Sequence, residues 1–483
     1  MTQEPPEDSV PRRATRAFGW SFGNMVASRL GTLAIGIALA RVLGPDQFGI
    51  FAIATLTLLA ILSFNELGVS LAIIRWRDDP ATIAPTINTI SAVSSLLLTI
   101  VVIVGAPWIS ETLGDVRAAP VVQVLALSIL INGLVATSAA IMQREFMQKQ
   151  RTIADQVNTW LGAGLSLLFA FLGWGAMSLA VGRLIASIVF AIMLIKWSPV
   201  PYRFGWKRDT AGRLLRFGLP LAASSIVVFA AGYTDQLIVG STLGATALGF
   251  YVLAYNLASW PVSIFSLPLR AVAPAAFSAL KHDPDRMSRN FARVLAILSS
   301  VAIPACLAIS GAAEPVVDVV YGTEWLPAAD ILLWLAAMAG LRIWFELAYD
   351  YLVVHGKSGI VLFIQLASFG ISLPLMLWAV QAFGAPGVAA AQFVVALVAV
   401  VPLYLISLHR TGIRVHKIAG AVVLPVIAGL MVWVASWLIA QAVGLPLVAA
   451  ALAAGVATGV IALLAFWQRE NLKLLRAAAT GKG

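Results

Sequence analysis

The sequence predicts an all-α polytopic membrane protein with about 14 transmembrane helices. Of the 483 residues, 60% are hydrophobic and 11% are charged, and the mean hydropathy of +0.92 exceeds that of soluble domains. Apolar stretches of about twenty residues, long enough to cross a bilayer, recur along the chain. A turn motif in the first half is repeated in the second. These observations predict two parallel-repeat six-helix lobes around a central cavity, followed by two C-terminal helices.

The apolar stretches define the predicted spans. They lie near residues 17–40, 49–74, 86–108, 120–142, 153–172, 176–197, 217–239, 247–269, 291–312, 328–353, 359–383, 386–408, 418–441 and 446–467. The first follows the basic pair Arg12 and Arg13. Its length of about twenty residues favours a membrane span over a cleavable signal, which has a shorter apolar region.

The basic residues predict the topology. All but five of the 32 Lys and Arg residues fall near the chain ends or in alternate loops, the arrangement typical of cytoplasmic segments. The exceptions are Arg41 and Arg117 in the intervening loops and Arg29, Arg183 and Arg342 within spans. We therefore expect an even number of spans with both termini in the cytoplasm. Because the basic residues are scattered between apolar runs, they do not indicate a nucleic-acid partner.

The repeated turn divides the chain into domains. Arg41–Gly49 and Ser241–Gly249 share a Leu-Gly pair and a final Gly in the same register. An even number of spans separates the copies, so the halves are predicted to be parallel, with each turn at the outer corner of its lobe. The predicted domains are an N-lobe with spans one to six (1–197), a basic cytoplasmic linker (198–216), a C-lobe with spans seven to twelve (217–409), and two extra spans with a basic tail (410–483).

The sequence contains no recognisable catalytic, metal or cofactor motif. Cys306 is the single cysteine, and the four histidines form no cluster with ligand spacing. A Gly-rich phosphate loop, a zinc-type His-Glu motif and a nucleophile elbow are all missing. The longest external loop, around Glu314 to Pro327, is too short for a catalytic domain of its own. We therefore predict a protein that is not an enzyme and needs no cofactor or metal.

Span one contains a cation within a polar helical face. Arg29 lies near its middle, beside Asn24 and Ser28 at helical spacing. An ionisable group inside a span is costly and marks a pathway or a paired contact. The functional interpretation is a cavity wall whose guanidinium binds phosphate or diphosphate. The structural alternative is an arginine paired with a neighbouring helix.

Span eight presents aromatic and hydroxyl side chains at steps of four. These are Tyr251, Tyr255, Ser259 and Ser263, with Asn256 beside them. Such a face is suited to binding sugar, and Tyr255 and Asn256 are the candidates for it. Helix contacts made by the hydroxyl groups are an equally good explanation.

Intramembrane acids are the candidates for coupling or gating. Glu66 lies toward the cytoplasmic end of span two, and Asp235 lies near the outer end of span seven. Each could take up a proton during transport or could simply pair with a partner at a gate.

Span ten carries Arg342, Glu346 and Asp350 at steps of four, which places them on one helical face. Arg342 could line the cavity, but pairing with Glu346, itself a gate candidate, would neutralise it, so a structural role is slightly favoured. Arg183 in span six is a weaker cavity candidate. Trp325, in the outer loop before span ten, is expected at the membrane interface.

Several spaced landmarks resemble those of bacterial polysaccharide flippases of the Wzx type. They are Ala40–Gly49 with Asn65–Gly68, Asp235–Gly240 running into Leu243–Tyr251, Pro274–Ser278, and Tyr321–Trp325. The likeness covers roughly residues 17–410. It implies membership of the multidrug, oligosaccharidyl-lipid and polysaccharide exporter superfamily, whose members have two six-helix lobes around a central cavity.

The resemblance also implies a function. A polyprenyl-diphosphate-linked oligosaccharide, such as an O-antigen, capsule or exopolysaccharide repeat unit, would cross the bacterial inner membrane by alternating access. The implied partners are that lipid-linked substrate, membrane lipid, and the glycan polymerase and chain-length proteins.

Other functions remain open. The two extra helices resemble the arrangement in lipid II flippases, and a multidrug or cation antiporter of the same superfamily would use acids such as Asp235 and Glu66. From different classes, the alternatives are an integral-membrane glycan polymerase or ligase and a scaffold of the glycan assembly complex that transports nothing.

Overall fold

The computed structural model describes the backbone of residues 9–63, 69–76, 79–270, 284–413 and 415–469. Side chains are described for residues 31, 33–63, 69–76, 79–262, 287–413 and 416–469. All regular elements within these ranges are helical, which confirms the predicted all-α class. Ten helices in the described ranges are long and apolar enough to cross a membrane.

Within the described residues, the predicted spans lie mostly on helix, and residues 64–68 of the span 49–74 lie outside the described ranges. In chain order the helices are α1 (Ser9–Leu62), α2 (Leu71–Arg75), α3 (Pro80–Thr112), α4 (Ala119–Arg144), α5 (Gln148–Phe171), α6 (Ala176–Trp197), α7 (Arg208–Leu243), α8 (Ala245–Arg270), α9 (Pro284–Gly311), α10 (Ala313–Tyr321), α11 (Ala328–Val354), α12 (Ser358–Val395), α13 (Val401–Arg410), α14 (Val415–Ala442) and α15 (Pro446–Trp467). Short 3-10 turns occupy Val116–Ala118 and Thr323–Trp325, and a π turn, Ala396–Val400, joins α12 to α13.

Two of the helices are kinked where separate spans were predicted. In α1 the kink is at Gly44, with φ 70° and ψ 172°, and Pro45 follows it. In α12 it is at Gly384, with φ 66° and ψ −152°, two residues before Pro386. Glycine adopts positive φ without steric cost, and proline interrupts the helical hydrogen bonds. A gap in the apolar pattern therefore corresponds here to a sharp bend between consecutive helices.

The chain forms two compact units. The first comprises residues up to Leu43, 61–106 and 120–224, and the second comprises 44–60, 107–119 and 225 onward. The sequence-based lobe boundaries, at 197 and 217, remain predictions.

In the first unit, the segment between α6 and α7 packs on the start of α3. Asn88 donates a hydrogen bond to the carbonyl of Arg203 at 2.9 Å, and Thr89 donates to that of Gly205 at 2.8 Å. The Gly205 amide in turn donates to the Pro85 carbonyl at 3.1 Å. Part of the predicted 198–216 linker is thus an extended segment that specific hydrogen bonds hold against α3.

In the second unit, the C-terminal helices α14 and α15 pack against α9. The contact is close: an added Cβ on Gly429 would lie 2.7 Å from Ile303 Cγ2, and one on Gly311 would lie 2.5 Å from the Trp433 carbonyl oxygen. Trp433 Nε1 donates to Ser310 Oγ at 3.2 Å. Small residues that admit a neighbouring helix are the usual means of packing helices within a bilayer. The two extra helices are therefore an integral part of the second unit.

The two copies of the repeated turn contact each other within the second unit. Gly44 and Gly244 both have positive φ, 70° and 86°. Thr246 Oγ1 donates to Asp46 Oδ1 at 3.4 Å, a contact between positions 200 residues apart. An added Cβ on Gly249 would lie 3.1 Å from Cα of Gly49. Asp46 and Gly49 contact the equivalent positions of the second turn, Thr246 and Gly249. A local two-fold axis therefore relates the two turns, as expected of a duplication.

Three charged side chains, Arg117, Asp46 and Asp115, form ion pairs beside the contact between the turns. The Arg117 guanidinium lies 2.7 Å from Asp46 and 2.7 Å from Asp115. Its hydrogen bonds lower the pKa of the Asp115 carboxyl, and the two carboxylates together raise the pKa of Arg117. The Arg117 and Asp46 side chains are largely exposed, so solvent screens their attraction.

Trp325 is buried within the protein, and its expected depth at the membrane interface stays a prediction. Only 1% of its surface is exposed. Its ring meets Phe48 at 5.5 Å and Phe250 at 5.8 Å, both edge to face, and Tyr321 at 6.1 Å. Phe48 belongs to one turn and Phe250 follows the other, so Trp325 fixes both copies from one side. Edge-to-face aromatic pairs stabilise packing beyond their buried area.

The glycine contact predicts the effect of one methyl group. In Gly249→Ala the new Cβ would lie 2.8 Å from the Pro45 carbonyl oxygen, so backbone must shift. We expect a loss of about 1–3 kcal/mol, as for overpacking in a tight core. The apparent Tm of the purified protein in detergent measures it. Gly455→Ala is the matched control, because its Cβ would meet nothing within 4 Å. Equal Tm values for the two variants would contradict the close approach of the turns.

Candidate functional site

A polar cavity lies within the second unit. Its volume is about 680 Å³, within the range of small-molecule sites. Helices α7, α8, α11, α12 and α13 form its walls. The polar side chains that line it are Thr234, Asp235, Tyr255, Ser259, Arg342, Tyr349, Gln365, Ser368, Ser372, Gln392 and Tyr404. So many polar groups among apolar helices indicate a space made for a hydrophilic ligand or for water.

Arg342 is the cation of the cavity. Its NH1 group donates to the Tyr255 hydroxyl at 2.8 Å, and its guanidinium carbon lies 6.0 Å from the centre of the Tyr255 ring. Its Nε lies 3.6 Å from Glu346 Oε1, which confirms the i, i+4 pair expected from the sequence. The side chain remains 45% exposed, so part of the guanidinium is open to the cavity. Because α8 packs along α11, Tyr255 can reach Arg342 from the neighbouring helix.

Asp235 is the acid of the cavity, and it is only 5% exposed. Its carboxylate accepts hydrogen bonds from the Tyr251 hydroxyl at 2.9 Å and from the Gln236 amide at 2.9 Å. Gln392 Nε2 donates to the same Tyr251 hydroxyl at 3.3 Å. The described hydrogen-bond partners of Asp235 are thus neutral groups from α7, α8 and α12, because Gln392 on α12 also interacts with the carboxylate. A buried carboxylate held only by neutral donors is costly.

Helix α12 supplies a polar stripe that the sequence reasoning missed. Gln365, Ser368 and Ser372 lie at steps of three and four and all line the cavity. Tyr404 on α13 stacks on Phe345 at 5.4 Å between ring centres. The helical spacing of these three polar residues, inside the otherwise apolar run 359–383, indicates one hydrophilic face of the helix.

The structure brings three of the predicted residues together. Tyr255, Arg342 and Asp235 line the cavity, and Glu346 pairs with Arg342. Asn256 is exposed on α8 and does not line this cavity.

The other predicted site residues are not in this cavity. Arg183 is exposed on α6 in the first unit, and its guanidinium has no hydrogen bond or ion pair with another described residue. The side chains of Arg29, Asn24 and Ser28, together with Glu66, lie outside the described residues.

The donor set favours an anionic or hydroxyl-rich ligand. Arg342 offers a charged planar donor, and the phenols, hydroxyls and amides around it offer both donors and acceptors. Across the described part of the chain, no cluster of His, Cys, Asp or Glu could hold a metal ion. The cavity is therefore equipped for recognition by hydrogen bonds, with the Arg342 guanidinium and the Asp235 carboxyl as the ionisable groups of its lining.

Comparison with known sequences places these features in context. A family model described as "Polysaccharide biosynthesis protein" matches residues 38–330. The succinoglycan biosynthesis transport protein ExoT of Rhizobium meliloti (strain 1021) is 24% identical, over 72% of this chain and 71% of its own length. The lipopolysaccharide biosynthesis protein WzxC of Escherichia coli (strain K12) is 23% identical, over 63% of this chain and 62% of its own length.

Solved structures share the fold. The lipid II flippase MurJ in an inward closed conformation superposes with a TM-score of 0.76 at 12% identity, covering 92% of this chain and 99% of MurJ. An inward-facing multidrug resistance transporter of the MATE family gives a TM-score of 0.62 at 18% identity, covering 80% of this chain and 94% of its own. The chain therefore has the all-helical fold of these transporters, which confirms the predicted fold class.

The network around Asp235 predicts a coupled pair. Tyr251→Phe removes a donor from a buried carboxylate and should cost about 1–3 kcal/mol. In an Asp235→Leu background the acceptor is absent, so the same change should cost much less. The apparent Tm values of the two single variants and the double variant give the coupling between the residues. Tyr349→Phe is the control, because no described group bonds that hydroxyl. Additive effects of the two changes would show that the hydrogen bond contributes nothing.

Proposed function

The chain belongs to the polysaccharide biosynthesis protein family, and we propose that it moves a polyprenyl-diphosphate-linked oligosaccharide across the bacterial inner membrane by alternating access. The cargo is an O-antigen, capsule or exopolysaccharide repeat unit. Its class is supported by the named roles of relatives in succinoglycan and lipopolysaccharide biosynthesis. The chain acts as a transporter and not as an enzyme, so the glycan leaves it covalently unchanged.

One observation carries this proposal: a partly exposed arginine lines a polar cavity built from apolar helices. A sugar headgroup that enters hydrocarbon loses hydrogen bonds to water, at a cost of several kcal/mol for each unpaired polar group. A cavity with hydroxyl, amide and guanidinium groups replaces those bonds, while the polyprenyl chain stays in lipid. The barrier to crossing falls because the headgroup is never without partners.

The diphosphate is the part of the cargo that Arg342 fits best. A guanidinium binds phosphate oxygens through two parallel hydrogen bonds. Tyr255 fixes one edge of the guanidinium and Glu346 offsets its charge when no ligand is bound. In the first half, Arg29 with Asn24 and Ser28 is the sequence-based candidate for binding a phosphate group, and Arg183 is the candidate for a further cation.

The sugars are assigned to the uncharged groups. Tyr255 and Asn256 are the proposed contacts on α8, although only Tyr255 lines the cavity described above. The stripe Gln365, Ser368 and Ser372 extends the set of donors and acceptors along α12. Aromatic faces and amides are suited to the apolar and hydroxyl surfaces of a sugar ring.

Asp235 is the proposed coupling residue, with Glu66 as a second candidate in the first half. A proton bound to the Asp235 carboxyl would remove a buried charge and change its hydrogen bond with Tyr251. Since Tyr251 also accepts from Gln392, that change would reach α12. The protonation state of one carboxyl can thereby bias how three helices pack.

The setting of this function is also proposed. The protein would lie in the inner membrane with both termini in the cytoplasm, as the distribution of Lys and Arg predicts. A glycan polymerase and a chain-length protein would receive the exported unit. Lipid II and a drug cation are the alternative cargoes within the superfamily, and competition for transport by each of them separates the three.

Replacing Arg342 should abolish transport. In proteoliposomes with a labelled polyprenyl-diphosphate oligosaccharide, a membrane-impermeant glycan probe reports the leaflet that the substrate occupies. We expect Arg342→Ala to slow the change of leaflet at least tenfold, equivalent to about 1.4 kcal/mol. Arg342→Lys keeps the charge but not the planar fork, so it should recover only part of the rate.

Controls in the same assay separate binding from general damage. Lys357→Ala removes an exposed cation directly before α12 and should transport normally. Arg29→Ala tests the first-half cation, and normal transport by that variant would remove Arg29 from the mechanism. Normal transport by Arg342→Ala would overturn the role of the cavity. A covalently altered glycan in the parent reaction would indicate a polymerase or ligase.

Replacing Asp235 should uncouple transport from an ion gradient. With an imposed proton or sodium gradient, the parent protein should accumulate substrate in one leaflet. Asp235→Asn keeps the size of the side chain but cannot bind a proton, so substrate should only equilibrate between the leaflets. Leaflet occupancy at long times is the measurement. If Asp235→Asn accumulates substrate as the parent does, Asp235 is not the coupling group.

A further inference from the structure

A second pocket lies between the start of α9, the start of α14 and the end of α15. Its volume is about 270 Å³, near the lower end of ligand sites. Its lining residues are Arg289, Ala292, Arg293, Ala296, Lys417, Gly420, Ala421, Trp467 and Gln468. Three of these side chains are cationic and none is acidic. The pocket is far in sequence from the residues proposed to handle the cargo, and none of its lining residues borders the larger cavity.

The three cations converge because of where their helices carry them. Arg289 and Arg293 are one helical turn apart on α9 and so share a face. Lys417 approaches from α14, which packs along α9. Space is left between them because the neighbouring residues are small, and an added Cβ on Gly420 would meet nothing within 4 Å.

No carboxylate compensates these charges within the described residues. The Arg293 guanidinium donates to Asn290 Oδ1 at 3.3 Å, a neutral acceptor. Arg289 and Lys417 have no ion pair with a described acid. Like charges held together in a partly desolvated pocket repel each other, and a bound anion relieves that repulsion. Guanidinium and ammonium groups around one small space are a typical donor set for a phosphate.

The surroundings point to a phosphate carried by a lipid. Trp467 at the pocket is 61% exposed, and the adjacent Phe466, 67% exposed, lies under the Arg469 guanidinium at 4.6 Å. Exposed aromatic rings beside basic side chains at the end of an apolar helix are typical of the membrane interface. This end of α15 precedes the basic tail, which the charge distribution predicts to be cytoplasmic, where the leaflet is rich in anionic lipid.

We propose that this pocket binds the headgroup of an anionic phospholipid. Arg289 and Arg293 donate to the phosphate oxygens, Lys417 closes the pocket from α14, and the acyl chains lie along the exposed face of α15. The lipid joins α9 to the two C-terminal helices at their cytoplasmic end. The site is independent of the transported cargo.

Native mass spectrometry of the protein released from nanodiscs tests this site. The discs contain equal amounts of phosphatidylglycerol and phosphatidylcholine. The parent protein should retain phosphatidylglycerol in excess of its share. The triple variant Arg289→Gln, Arg293→Gln, Lys417→Gln should lose that preference at least tenfold. The control triple variant Lys207→Gln, Arg208→Gln, Lys357→Gln removes the same charge from exposed positions elsewhere and should keep the preference.

A second variant removes the space but not the charge. Gly420→Leu places a side chain in the pocket and should lose the preference with all three cations present. Size exclusion and apparent Tm establish which variants are folded. If the triple variant is not folded, Gly420→Leu alone tests the lipid site. Retention of phosphatidylglycerol by the folded pocket variants, or equal loss from the control variant, overturns the proposal. Displacement of the lipid by millimolar inorganic phosphate would assign the pocket to a soluble anion instead, and would also overturn it.

Discussion

A polar group inside an apolar helix must find a partner within the protein, and much of this structure follows from that constraint. Some hydroxyl groups meet it locally: Ser300 and Ser407 each donate to a carbonyl one turn earlier, at 2.7 Å. A charged group between apolar helices needs stronger partners than a hydroxyl group does, because burying a charge costs more free energy. Arg342 therefore recruits Tyr255 and Glu346, and Asp235 recruits Tyr251. Arg342, Tyr255 and Asp235 line the cavity together with further hydroxyl and amide groups, so the groups that stabilise the buried charges are also among those proposed to bind the cargo.

The repeated turn meets a different requirement, the close approach of two backbones. Gly49 and Gly249 allow the copies to touch, and any side chain at either position would force them apart. The polar bond across the contact, Thr246 to Asp46, is long at 3.4 Å, and the nearby Arg117 ion pair is solvent-exposed. Exposed ion pairs contribute about 0–1 kcal/mol. The contact between the turns is therefore held mainly by packing, of the glycine backbones and of Trp325 on Phe48 and Phe250.

The sequence predicted what depends on local pattern. Apolar length and charge distribution located the helices, the 200-residue repeat located the two turns, and i, i+4 spacing predicted the pair Arg342 and Glu346. It did not predict contacts between distant helices. Gln392 reaches Tyr251 across 141 residues, and Trp325 packs against aromatic rings that are far away in sequence. The polar stripe on α12 was readable from helical spacing alone, but only the fold shows that it faces Arg342 and not a neighbouring helix.

The geometry around Arg342 explains how a paired cation can still serve a ligand. A strong guanidinium–carboxylate bond is about 2.7–2.9 Å long, whereas Arg342 and Glu346 are 3.6 Å apart. The pair is close enough to lower the cost of the charge between apolar helices, yet too long to use the directional bonds of the guanidinium. A diphosphate carries more charge than one carboxylate and can form two parallel bonds, so it would compete for Arg342 effectively. In the proposed transport cycle, Glu346 would again be the neighbouring negative charge of Arg342 once the diphosphate has left.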